Sequence, residues 1–168
     1  MNRLIFCPEC GERLSEKELA GEGMVKYCQK CKEFRFPIFS VAVSLLVLSP
    51  DEKEILLIKQ YHKDRYILVA GYINKGEDAE DAVLRELKEE TGLEAERCFF
   101  NHSHYFEKSE TLMLNFTVIA KSKNVSPNWE IDSFGWFPLE EAKSQIAPSS
   151  LAKDFLLGYL EKEYHFKD

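Results

Sequence analysis

The sequence predicts an α/β fold: a mixed β-sheet flanked by helices, preceded by a small cysteine-rich ribbon. Three observations predict it. Four of the five cysteines fall in the first 31 residues, as Cys7-Pro-Glu-Cys10 and Cys28-Gln-Lys-Cys31. From Ile38 onward, short apolar and β-branched runs recur between turn residues, the pattern of buried strands. Interleaved with them are stretches of helix formers at helical spacing, the longest running from about Asp78 to Thr91 and from Pro148 to about Tyr164. Helices on the faces of a mixed sheet accommodate that order of elements.

The ribbon comes first. Two Cys-x-x-Cys pairs separated by 17 residues can each sit on a tight turn, and four thiolates close a tetrahedral structural Zn²⁺ site. Gly11 suits the turn after the first pair. Two disulfides or a redox pair are the alternatives, and they belong to oxidising compartments or to redox enzymes. A ribbon of about 30 residues has too little core to fold unaided, so zinc is expected to be part of its stability. We expect a ribbon over residues 1–34 and a second domain over 35–168.

Ile38 to Leu48 and Glu54 to Gln60 are apolar runs separated by the turn Ser49-Pro50-Asp51-Glu52-Lys53, and they read as a hairpin of buried strands. Tyr66 to Ala70 is a short strand leading to Gly71. Arg97 to Phe106, Thr111 to Ala120 and Ser133 to Phe137 read as further strands, and Leu139 to Ile146 as a short helix. In the closing helix Leu151, Phe155, Leu156, Tyr159 and Leu160 share one face, a stripe for the core or for a dimer contact. Cys98, alone in a strand, reads as a small buried apolar residue.

Composition narrows the classes of function. With 45% hydrophobic and 12% aromatic residues, the chain can bury a proper core. A formal charge of −7 argues against a general duplex-DNA or anionic-membrane binder, since both need clustered Lys and Arg. The longest apolar run, Val41 to Leu48, is far short of the roughly 20 residues of a membrane helix. The N-terminus lacks the apolar length of a secretory signal. A cytoplasmic protein is expected.

The segment from Gly71 to Leu93 carries the chemistry. A helix from about Asp78 to Thr91, stopped by Gly92, places Glu86, Glu89 and Glu90 on one stripe beside an apolar stripe of Val83, Leu84 and Leu87. Acids three and four apart repel by about 0.2–0.5 kcal/mol per pair, and partial burial sharpens the repulsion. A hard divalent cation, Mg²⁺ or Mn²⁺, fits such a set of carboxylates. A solvated acidic face is the plainer alternative, and the wider pattern decides between them.

Gly71, Glu77, Arg85, Glu86, Leu87, Glu89, Glu90, Gly92 and Leu93 match position by position the signature that marks the Nudix hydrolases, so the chain resembles that family. The resemblance implies an α/β/α sandwich and metal-dependent hydrolysis of a nucleoside diphosphate linked to another group. It implies that Glu86, Glu89 and Glu90 supply metal ligands and the general base, and that the Gly71 carbonyl approaches the metal. Glu77 and Arg85 would form an ion pair fastening loop to helix, with Gly92 ending it. Glu130 lies in Trp129-Glu130-Ile131-Asp132-Ser133-Phe134-Gly135-Trp136-Phe137. That stretch resembles the family's Glu-apolar-x-x-x-x-Trp-Phe, whose Glu reaches the metal site as ligand or base.

A zinc ribbon before a Nudix domain is similar to the NADH pyrophosphatase branch of the family. Ala70-Gly71-Tyr72-Ile73-Asn74-Lys75-Gly76-Glu77 resembles the branch's Ala-Gly-Phe-Val-Glu-x-Gly-Glu, with Asn74 in place of a Glu. Ser103, Phe106, Thr111, Leu112 and Met113 keep the frame of its Ser-Gln-Pro-Trp-Pro-Phe-Pro-x-Ser and Leu-Met stretch, although the three prolines and the Phe are absent. The implied substrate is NADH or NAD, giving AMP and a mononucleotide, with ADP-ribose or a nucleotide sugar as alternatives. Tyr72, Phe106 and Tyr105 are candidates to stack on a base, with core packing the plainer role. His102 and His104 read as polar surface. The branch implies a homodimer. Lys121 and Lys123 are the thin support for an RNA path. Two rival readings are a nucleotide- or RNA-binding regulatory module and removal of a nucleotide cap from RNA.

Overall fold

The protein is described by a computed structural model over residues 4–163. It divides between Phe39 and Ser40 into two compact units. The first is a three-stranded antiparallel sheet of β1 (Ser15–Leu19), β2 (Gly23–Cys28) and β3 (Glu33–Arg35), in that order. Its two cysteine turns share one backbone design. Gly11 donates its amide to the Cys7 carbonyl at 2.9 Å, and Lys32 donates to the Cys28 carbonyl at 2.8 Å. Both donors are left-handed, with φ of 72° and 60°. Glycine adopts that conformation freely, whereas Lys32 holds it at a cost of about 1–2 kcal/mol.

The second unit is a six-stranded mixed sheet with three α-helices. Its elements are β4 (Ser40–Leu48), β5 (Glu54–Gln60), β6 (Val69–Tyr72), α1 (Ala79–Thr91), β7 (Ala95–Phe106), β8 (Thr111–Ala120), β9 (Ile131–Pro138), α2 (Leu139–Gln145) and α3 (Leu151–Glu161). The order is β7-β8-β4-β5-β9, with β6 also on β4. Among the described strands only β4 and β8 run parallel, from Ser40↔Thr111 to Leu48↔Ile119.

The expected hairpin of β4 and β5 closes only at its tip, through Leu48↔Ile55 and the amide of Ser49 on the Glu54 carbonyl. Beyond the tip the two strands splay, because residues 67–72 enter between them. Ile67 exchanges both backbone hydrogen bonds with Ile58 on β5, and Val69 to Tyr72 then pair with Leu45 to Ala42 on β4. This inserted strand starts and ends later than Tyr66 to Ala70, and it carries Gly71 into the sheet itself.

β4 is buried on both faces, which is why it reads as an unbroken apolar run. Val43, Leu45 and Val47 face a core shared with Ala82, Val83 and Leu87 of α1. Leu46 and Leu48 face a second core shared with Ala142 of α2 and with Phe155 and Leu156 of α3. Each such side chain contributes about 1.5–3 kcal/mol on burial. The apolar stripe of α1 differs from expectation at one place: Leu84 is exposed and Ala82 takes the buried position. α1 ends as anticipated, at left-handed Gly92, whose amide reaches the Lys88 carbonyl.

Ser150 caps α3 by accepting from the Lys153 amide. The stripe from Leu151 to Leu160 packs on the second core. The helix runs to Glu161, and Tyr164 lies outside the described residues. Among the described residues no helix is long and apolar enough to cross a membrane.

Candidate active site

Gly71, on β6, faces α1, since its partner Val43 belongs to the α1-side core. The Glu86 carboxylate occupies the place a side chain would take there. A Cβ on Gly71 would lie 1.9 Å from Glu86 Cδ and 2.1 and 2.3 Å from its two oxygens. The glycine is thus a requirement of the Glu86 position, a role beyond freeing its carbonyl.

Arg85 organises the outer half of the acid cluster. Its Nε and Nη2 bind both oxygens of Glu77 at 2.6 and 3.0 Å, a bidentate pair, and Nη2 also reaches the Tyr72 carbonyl at 2.9 Å. Nη1 donates to Glu86 at 2.6 Å and to Glu89 at 3.1 Å. The guanidinium and the Asn74 amide hold the Glu77 carboxyl down to about 2. Loop, helix and strand are therefore fastened through one side chain, the ion pair expected of Glu77 and Arg85.

Glu90 forms the inner half. It is buried, at 4% exposure, on a helix whose last turn is held by the following loop. The amides of Ser126 and Asn128 donate to the carbonyls of Thr91 and Glu90, satisfying helix-end acceptors that would otherwise be orphaned. Burial and the nearby charges of Glu86, Glu130 and Glu89 push the Glu90 carboxyl up to about 8. Its hydrogen bond comes from a neutral donor, Gln60 Nε2, at 3.0 Å. Glu89 is more than half exposed.

Glu130 closes the site from the loop before β9. The Tyr61 hydroxyl donates to its Oε2 at 2.6 Å, and this bond raises the phenol to about 12, so the phenol remains a neutral donor. Beside it Asp132 accepts from the His62 amide at 2.6 Å and lies 3.1 Å from His62 Nδ1. Gln60, Tyr61, His62 and Asp132 were not singled out by the sequence, where Gln60 stands only as the end of a strand and Asp132 only as part of the stretch around Glu130.

The donor set here is all oxygen and strongly anionic: Arg85 bonds to Glu86 and Glu89, while buried Glu90 and half-buried Glu130 have neutral donors. Glu86 and Glu90, with Glu89 and Glu130 at the rim, are the residues that could hold a hard divalent cation.

A profile described as NUDIX domain matches residues 39–155. The chain belongs to the Nudix family. Among curated relatives, this Nudix chain is 28% identical over 158 residues to a protein of Pseudomonas aeruginosa (strain LESB58) named NAD-capped RNA hydrolase NudC, covering 94% of the chain and 56% of the relative. It is 30% identical over 158 residues to Nudix hydrolase 19, chloroplastic, of Arabidopsis thaliana, covering 88% of the chain and 35% of that protein. The chain thus spans about half the length of the NudC relative. Among solved structures it is similar to a Nudix hydrolase from Nitrosomonas europaea, with a TM-score of 0.63, 19% identity and 96% of both chains covered. It is also similar to the Nudix domain of Shewanella oneidensis NrtR complexed with ADP ribose, with a TM-score of 0.64, 17% identity and 81% and 93% covered.

Tyr72 and Phe106, the two aromatics expected to meet the substrate, lie on the face of the sheet opposite Gly71. Tyr72 pairs with Ala42 and Phe106 with Thr111, one position out of phase with Gly71 and Val43. Strand alternation turns both towards the α3 side of the sheet. Phe106 lines a cavity of about 270 Å³ there with Leu151 and Asp154. Tyr105 has the opposite phase in the strand, yet it and His104 both line the Phe106 cavity.

The cysteine turns of the ribbon bring Cys7, Cys10, Cys28 and Cys31 together, with all four sulfurs within 4.8 Å of one another. Among the described residues no other group of three or more Cys, His, Asp or Glu gathers its ligand atoms so closely. The Cys10–Cys28 and Cys7–Cys31 separations are 3.5 and 3.9 Å. Tetrahedral zinc with Zn–S near 2.3 Å implies about 3.8 Å between sulfurs, whereas a disulfide needs about 2.05 Å. The sulfurs fit zinc. Against the raising effect of burial, the Arg35 Nε bond at 3.3 Å and the backbone amides of Cys10 and Glu9 hold the Cys7 thiol down to about 6; Arg35 is itself tied to Glu9 and Glu33.

Proposed function

We propose that this Nudix chain hydrolyses the pyrophosphate bridge of a nucleoside diphosphate linked to another moiety, with an NAD- or NADH-type dinucleotide as the leading substrate. One observation carries the reading: buried Glu90, crowded by Glu86, Glu130 and Glu89, has only a neutral amide as its donor. A folded chain keeps such a group where a cation and a phosphate chain are to be received.

Mg²⁺ or Mn²⁺, when bound, supplies charge neutralisation of the phosphate oxygens and acidifies a bound water. Glu86 and Glu90 are its carboxylate donors, aided by the Gly71 carbonyl. Arg85 keeps Glu86 aimed inward and holds Glu89 at the rim. Glu130, half-buried and tethered through one oxygen to Tyr61, accepts the proton of the attacking water. Water adds to one phosphorus and the bridging P–O bond breaks, leaving AMP and a mononucleotide.

The likeness over 94% of the chain to a relative named NAD-capped RNA hydrolase NudC supports the dinucleotide. RNA bearing NAD at its 5′ end presents the same bridge, and we include it as a substrate class. The reading also includes a homodimer. β7 pairs only with β8 among the described strands and exposes Phe99 and Phe100.

The test is product separation after incubation with NADH, NAD, NAD-capped RNA, ADP-ribose, nucleotide sugars and diadenosine polyphosphates, with Mg²⁺ and Mn²⁺ varied. AMP release that disappears in Glu90→Gln is expected. Tight nucleotide binding with no product under any metal would instead establish a regulatory module.

A further inference from the structure

Gln60, Tyr61 and His62 are consecutive, and each holds a different acid. The Gln60 amide donates to Glu90 at 3.0 Å, the Tyr61 phenol to Glu130 at 2.6 Å, and the His62 backbone amide to Asp132 at 2.6 Å. In a strand the side chains of Gln60 and Tyr61 would point to opposite faces and could not both reach this acid cluster. Here the strand stops. β5 ends at Gln60, its register against β9 slips between Lys59 and Gln60, and both Tyr61 and His62 turn left-handed, with φ of 54° and 57°. Two successive side-chain-bearing residues persist in that region only where the surroundings over-determine them, and such strain clusters at functional sites.

The acids are thereby divided between two holders of opposite character. Arg85, a full positive charge, takes Glu77, Glu86 and the exposed Glu89. The turn takes Glu90 and Glu130 with an amide and a phenol, neither of them charged, and Asp132 with a peptide N–H and with the His62 imidazole 3.1 Å away. Neutral donors fix a carboxylate in direction without cancelling the charge that a divalent cation needs. A lysine at either place would compete with that cation.

We infer that the Gln60–His62 turn is a positioning device for the reaction, holding Glu90 and Glu130 in aim against their mutual repulsion, and that Tyr61 acts through Glu130. The inference rests on the reading that Glu130 works on the diphosphate. Tyr61 is half exposed and its hydroxyl bonds to the carboxylate, so it is a positioning residue and takes no part in the bond change.

A double-mutant cycle on the full zinc-loaded chain tests it, with Tyr61→Phe and Glu130→Gln singly and together. The readouts are kcat and KM on a diphosphate the wild type turns over and Mn²⁺ affinity by titration calorimetry. Tyr61→Phe should lower kcat about tenfold or more with KM within about twofold, and should add no further loss to Glu130→Gln in either readout. Wild-type kcat in Tyr61→Phe, or losses that simply multiply in the double variant, would overturn the inference. A wild type that cleaves no diphosphate would instead sink the proposed function. The cycle is then decided by the calorimetry alone, coupling between the two sites supporting the positioning role and independent losses refuting it.

Discussion

Gly71→Ala isolates the steric logic of the site. Gly71 is outside the left-handed region, so alanine costs the backbone nothing, and the whole effect comes from one methyl group. That methyl would stand 1.9 Å from Glu86 Cδ. Carbon atoms settle at about 3.5–4.0 Å, so the carboxylate has to withdraw by roughly 1.6–2.1 Å. Such a withdrawal breaks its 2.6 Å bond from Arg85, a charge-assisted contact of about 1.5–3 kcal/mol. Arg85 keeps its bidentate hold on Glu77, so the domain should still fold. A misplacement of about 1 Å at a reacting centre costs on the order of 100-fold. We expect kcat to fall at least that far and urea-derived stability to drop by about 1–3 kcal/mol. The assay is AMP release with Mn²⁺, run beside circular-dichroism melts. Turnover within threefold of the wild type would show that the Glu86 position is not what the chemistry depends on.

Other outcomes follow from neighbouring groups. Because Glu90 takes a proton more readily folded than unfolded, its contribution to stability is complete below about pH 4.5 and is lost as pH rises through about 8. Without Mg²⁺ or Mn²⁺, denaturant titrations of Glu90→Gln should therefore show a growing stability advantage over the wild type between pH 5 and 8, and a constant difference would refute the buried-carboxylate account. Arg85→Lys loses the fork that spans Glu77, Glu86 and the Tyr72 carbonyl; kcat should fall tenfold or more with the fold retained, measured by turnover and melting. In the ribbon, Arg35→Ala removes the donor on Cys7 and should weaken zinc retention about tenfold or more. Competition with a chromogenic chelator reads this, and an unchanged release curve would count against Arg35.

The helix with its three glutamates was legible because its periodicity, helix formers and glycine stop all agree. The ribbon was legible because paired cysteines restrict the geometry so severely. Glu130 could be found only by resemblance, since nothing local marks it apart from a surface acid. What escaped falls into two physical kinds. The splaying of β4 from β5 depends on residues 67–72 inserting between them, a non-local event that no run of apolar residues announces. The acid-holding turn depends on left-handed Tyr61 and His62, and no glycine or asparagine flags such a bend. The aromatic pair fared differently. Phase relative to Gly71 already turns Tyr72 from α1, but assigning Phe106 a face needs the register across β8, which only the structure supplies.

The parallel pairing of β4 with β8 joins residues 71 positions apart, and this sets an order of events on the ribosome. At about 5–20 residues per second, the most buried strand emerges several seconds before the partner that covers its far side. Until Leu114 and Phe116 are out, Val43 and Leu45 have β6 as their strand neighbour and α1 over one face, while the edge that β8 will pair stays open. The cysteine turns, built from local contacts, need wait for nothing but their ion. During synthesis the vulnerable interval belongs to the sheet, and a pause engineered between residues 72 and 111 should lengthen its dependence on chaperones.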